Sequence, residues 1–205
     1  MTGVQTCALP ICIICSLYYA PKKIKIISFV VLILMTFRYI ALLILLIVKG
    51  QNYLYILKPL LYTNFLCIPI CGIILTYIFA RKNMIKLRRI ILIFGILCLG
   101  YCIVIYNSNS NTVVSNVYGH TIKLQLENYF YYMSLIVNSI FLIMGINLFS
   151  RRYSNKLGAS LIAISASITL IAVVLTSINT SYNFLLLGDI SWILTMDYAL
   201  MKVKR

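Results

Sequence analysis

The sequence predicts an all-α, polytopic transmembrane helix bundle, and three observations carry that expectation. Of 205 residues, 62% are hydrophobic and only 10% charged, less than half the charged share of an ordinary soluble domain. The apolar residues fall into runs of about twenty, the length that takes a helix across a hydrocarbon core of roughly 30 Å at 1.5 Å rise per residue. Basic residues crowd every second connection between those runs, the asymmetry that sets how a membrane protein sits in its bilayer.

Residues 1–11 (MTGVQTCALPI) resemble the in-frame translation of a common sequencing adapter and are read as non-native. Residues 12–20 are apolar but too short to span, which predicts the stump of a truncated N-terminal helix belonging to a longer protein. Residues 12–205 are then one transmembrane helical domain, with about six full spans near 26–48, 60–80, 90–106, 129–149, 157–178 and 184–201. The runs at 90–106 and 184–201 are the shortest, and the last also carries two acids.

Lys22, Lys23 and Lys25 precede the first span. Arg81, Lys82, Lys86, Arg88 and Arg89 follow the second, Arg151, Arg152 and Lys156 the fourth, and Lys202, Lys204 and Arg205 the sixth. The opposite connections hold only Lys49, Lys58 and Lys123. Cationic loops stay in the cytoplasm, so the C-terminus is expected there. The richness in Ile, Asn, Lys and Tyr fits an AT-rich bacterial genome, and with it a bacterial cytoplasmic membrane. The net charge of +15 does not point to nucleic acid, because it is spread over short turns whose nearest partners are lipid headgroups. The expected partners are the bilayer and either another membrane protein or further copies of this chain. Residues 107–128 form the only sizeable connection, on the external face. NSNSN (107–111) reads as flexible, Tyr118, Gly119 and His120 as a turn, and the alternation in TIKLQLE (121–127) as either a small β-hairpin or a loop lying along the interface.

Arg38 stands out as a guanidinium near the middle of the first span, which costs roughly 2.5–3.5 kcal/mol on insertion scales and calls for a partner. Counted from the external helix ends, it lies roughly 15 Å deep and Asp189 roughly 8–10 Å. Arginine's reach bridges that gap, so an intramembrane Arg38–Asp189 pair is expected, lining a polar path or simply orienting helices. Asp197 is too near the cytoplasmic end to compete. Asn64, Pro69 and Asn138 are the other candidates to line a cavity. Asn64 shares a helix face with Cys67 and Cys71, Pro69 interrupts the second helix, and Asn138 is suited to bonding a neighbouring helix. Ala159, Ala163 and Ser167, flanked by Ser165 and Thr169, form a close-packing face.

Cys67, Cys71, Cys98 and Cys102 fall at matching depths on antiparallel helices, but with no histidine or carboxylate beside them packing is the simpler reading, and no metal or cofactor is expected. Cys12 and Cys15 form a CxxC without the βαβ context of a redox motif. The single histidine, His120, cannot build a metal cluster. Gly188–Asp189 resembles the GD of intramembrane aspartyl proteases, which need a second aspartate on a facing helix; Asp197 is eight residues along the same helix, roughly 12 Å away. The expected function is therefore non-enzymatic: a small-molecule or ion transporter or permease-like subunit. The second reading is a sensor or anchoring module whose soluble partner is separate, and the third an intramembrane enzyme.

Overall fold

The structure is a computed structural model and describes residues 22–47, 55–80, 87–115, 119–178 and 184–203. The adapter-like segment, the helical stump and the Cys12–Cys15 motif lie outside the described residues. The described chain is helical apart from one hairpin. Helix α1 spans Lys22–Ile47, and a 3₁₀ turn at Tyr55–Leu57 leads into the short α2, Lys58–Leu61. Then come α3 (Asn64–Phe79), α4 (Leu87–Asn107), strands β1 (Ser110–Ser115) and β2 (Gly119–Leu124), and α5 (Glu127–Phe149), α6 (Lys156–Ile178) and α7 (Leu185–Val203).

Four segments among the described residues are long and apolar enough to cross a membrane: Lys25–Leu45, Lys58–Phe79, Glu127–Phe149 and Lys156–Ile178. Leu92–Asn107 is a shorter apolar helix, and α7 carries Asp189, Asp197 and Lys202 within 19 residues. Their surfaces fit a lipid solvent. Phe37, Ile40, Leu99, Ile103, Ile136, Ile143, Ile164 and Ile171 all point outward, an apolar belt that water would not tolerate.

The α2–α3 segment Lys58–Phe79 is the inner one, with 78% of its most apolar stretch buried against 22% for α5, and α3 forms most of it. Helix α3 packs against α1, α5, α6 and α7. Their shared core includes Leu32, Met35, Ile70, Ile74, Phe141, Ile162, Trp192 and Met196. Helix α7 is the least lipid-like in composition, yet Trp192, Met196, Ala199 and Leu200 are fully buried. Its acids are tolerable because neighbouring helices cover it.

The α5–α6–α7 contacts are the densest in the chain. Gly145 permits one of them: a Cβ there would lie 3.0 Å from the Ala163 amide nitrogen and 3.2 Å from the Ala159 carbonyl. This is small-residue packing that lets two backbones touch. Hydroxyl and amide bonds fasten the same trio. Thr169 Oγ1 donates to Asn138 Oδ1 at 2.7 Å, and Ser165 Oγ meets Thr195 Oγ1 at 2.6 Å and Ser191 O at 3.1 Å. The expected small-residue face is there, but Ser165 and Thr169, read from the sequence as its flank, make the bonds between helices.

The segment after α4 forms the hairpin, paired antiparallel from Ser110 opposite Leu124 to Ser115 opposite Gly119. Ser110 and Asn111 are therefore strand rather than flexible linker, and Gly119 and His120 open β2 instead of forming the turn. Val113 and Val114 favour extended backbone and carry the strand through the polar stretch. Ile122 and Leu124 are buried beneath it, Ile122 with Leu45 and Leu124 with Tyr62, Ile105 and Phe130. The hairpin is seated on the helix ends, and Tyr62 Oη bonds Ile122 O at 2.9 Å.

Replacing Gly145 with Val should lower thermal stability in detergent, by about 1–3 kcal/mol for forced overpacking. Gly95 has open space around its Cβ position, so Gly95→Ala should stay within about 0.5 kcal/mol of the parent. Equal melting temperatures for the two variants would contradict the α5–α6 contact.

Candidate functional site

The site begins at a break in a helix. Between α2 and α3 the chain turns at Tyr62 and Thr63, where the Thr63 hydroxyl bonds the Pro59 and Leu60 carbonyls at 3.0 and 2.8 Å. Proline at 59 has no N–H to give to the preceding turn. The Phe65 amide donates to Tyr62 O at 3.1 Å, a tighter i→i−3 step. Beside this break the Leu61 carbonyl accepts a 2.9 Å bond from Arg38 Nε.

The other end of the Arg38 guanidinium meets Asp189, with Nη1 donating to Oδ2 as an ion pair. Arg38 is 2% exposed and Asp189 fully buried. The structure thus joins α1, the α2–α3 break and α7 through one side chain. Removing two ions from solvent is expensive, and only close contact with further hydrogen bonds offsets it. The Leu61 bond supplies one of these. Tyr39 lies alongside, its ring centroid 5.9 Å from Arg38 Cζ, within cation–π range.

Asn64 is buried at the start of α3 and stands beside the Asp189 carboxylate. The Asn64 amide acts on the carboxylate as a donor, yet neither its nitrogen nor its oxygen closes a full hydrogen bond, and neither does Asp189 Oδ1. The Tyr39 hydroxyl and the Trp192 indole nitrogen are likewise unbonded. Unsatisfied polar atoms in an interior are costly, on the order of 1–3 kcal/mol each, so those of Asn64, Asp189 and Tyr39 beside one ion pair set this region apart. Asn64, Arg38 and Asp189 come together at the site.

Pro69 lies inside α3 and is buried. It cannot donate to the Phe65 carbonyl four residues back, but no contact places it at the pair. Asn138 sits elsewhere: its nitrogen bonds Ser134 O at 2.8 Å and its oxygen receives Thr169, so it belongs to the α5–α6 seam. Cys67 and Cys71 are buried, Cys98 is half-buried and Cys102 exposed. Among the described residues no three His, Cys, Asp or Glu side chains converge as a metal site. Sequence reasoning missed the Leu61 carbonyl, because a backbone acceptor leaves no mark in residue type. Its one signal was Pro59 just upstream.

Truncating either partner leaves a lone buried charge, so Arg38→Leu and Asp189→Leu should each destabilise the protein by about 3–5 kcal/mol. The Arg38→Leu/Asp189→Leu double variant should recover most of that loss. Thermal unfolding of the four proteins in one detergent gives the cycle, and strictly additive losses would show that the pair is not coupled.

The chain matches no family model and no curated protein, so its function rests on the geometry of this site.

Proposed function

We propose that this chain is a small-molecule or ion transporter, or a permease-like subunit, whose polar centre is the Arg38–Asp189–Asn64 cluster. The observation that carries the reading is buried hydrogen-bonding capacity left incompletely satisfied beside an ion pair, at Asn64 and Asp189 Oδ1. Intramembrane charges facing a protein interior are the usual mark of an ion or solute path. In this reading residues 12–205 are one six-span bundle in a bacterial cytoplasmic membrane. Helices α4 and α7 complete the four long spans, the hairpin is external and the C-terminus cytoplasmic. The chain course supports that arrangement: Lys25, Arg151, Arg152, Lys156 and Lys202 fall at the end opposite the hairpin. The reading is non-enzymatic, since Asp189 and Asp197 share one helix and cannot face each other as a dyad.

Uptake into proteoliposomes of candidate small polar solutes and monovalent ions tests it. The Arg38→Leu/Asp189→Leu double variant, which keeps its fold, should lose uptake by tenfold or more, while Lys123→Ala should retain it. Full uptake in the folded double variant would return the pair to a purely architectural role.

A second reading, a membrane-embedded sensor acting through a separate soluble partner, draws on one continuous set of contacts. The hairpin holds Tyr62, Tyr62 adjoins Leu61, Leu61 holds Arg38, and Arg38 holds α7. If that chain transmits a signal, Tyr62→Phe should speed amide hydrogen exchange around Asp189, on the far side of the linkage. Unchanged exchange there would leave the hairpin as a cap.

A further inference from the structure

Asp189 uses one carboxylate oxygen and leaves the other idle. Oδ2 holds Arg38, while Oδ1 has no partner although the residue is fully buried. Asn64 stands beside it, its amide near enough to act on the carboxylate as a donor although neither amide atom closes a full hydrogen bond. The surroundings are packed: Met35, Cys67, Cys71 and Trp192, each within a turn of a cluster residue or electrostatically coupled to it, are at most 2% exposed. A packed site with an idle anionic acceptor suits a ligand that brings charge and almost no volume.

We propose that this cluster is a proton-binding site, with Asp189 as the group that takes up and releases the proton and Asn64 as its hydrogen-bond partner. A hydronium ion of the bulk gives up one O–H bond and leaves as water, and the proton forms one new O–H bond at Oδ1. The resulting hydroxyl donates to Asn64 Oδ1 as the amide turns its acceptor side toward Asp189 in place of the donor side it presents to the carboxylate. The cluster's charge rises from zero to +1. Arg38 then keeps the Leu61 carbonyl but loses its counter-ion, which weakens the tie between α1 and α7. Release of the proton restores it.

The titratable and charged groups facing Asp189 are Arg38 and Tyr39 from α1 and Cys67 and Cys71 from α3. From α6 the neighbour is Thr169, packed on Gly188, which does not titrate. Arg38 is the one fixed charge among them and so opposes the bound proton; no second carboxylate competes for it. The proposal deepens the transport reading by naming its coupling ion, and rests on that reading only for the coupling.

The whole chain contains three acidic side chains, Glu127, Asp189 and Asp197, which makes infrared assignment direct. In full-length protein in lipid nanodiscs, the Glu127→Gln/Asp197→Asn double variant leaves Asp189 as the sole acidic side chain with its site intact. Acidification should raise a protonated-carboxyl C=O band in that variant that resists rapid exchange in D₂O, unlike the band of the chain-terminal carboxylate. The band should vanish in Asp189→Asn and move in frequency in Asn64→Leu. Absence of a slowly exchanging band in the double variant would overturn the proton site; a band indifferent to Asn64→Leu would overturn the role of Asn64. No transported solute enters this measurement, so its failure would leave the uptake test standing.

Discussion

Arg38 occupies two acceptors at once, a carboxylate on α7 and a backbone carbonyl at the break between α2 and α3. Each half of that arrangement explains the other. Without Asp189 the guanidinium would be an uncompensated charge in an apolar interior, and without the helix break Leu61 O would have no reason to accept a side chain. The planar, forked guanidinium is what makes the double engagement possible, since its donors point in fixed and divergent directions. A lysine would offer one compact ammonium and could not span both acceptors with the same order.

That constraint decides where α7 sits. A helix with three charged residues is poorly suited to lipid, and here it is shielded by α3 and α6, with Trp192 and Met196 sealed inside. More lipid-like helices take the outside, α5 and α6 presenting isoleucines along their outer faces. The helix that carries Asp189 is thus kept from hydrocarbon by two helices that hold no acidic side chain.

Much of this was legible in the sequence, for reasons that can be named. Run length and composition reveal helices meant for an apolar solvent, because backbone hydrogen bonding in lipid leaves few other choices. Arg38 and Asp189 stood out because charge is so rare here that few pairings were available. Ser165 and Thr169 were misjudged as a flank, since a period of four locates a helix face to within about one residue and not the partner it meets. The hairpin was half visible: β2 alternates, whereas β1 hides behind asparagines and serines that read as flexible. Asn64 was noticed for sharing a face with cysteines, but its place beside Asp189 depends on how α3 and α7 cross, which no local pattern encodes. The Leu61 carbonyl was beyond reach, as a main-chain oxygen has no residue signature.

The two halves of the ion pair are 151 residues apart. At typical synthesis rates of about 5–20 residues per second, Arg38 is synthesised roughly 8–30 s before its aspartate exists. Leu61 is only 23 residues downstream, so its carbonyl is made within seconds of the guanidinium and is available to it as an acceptor well before Asp189. The acceptor that shares Arg38 with Asp189 in the folded protein is thereby also the one open to the nascent cation before α7 exists.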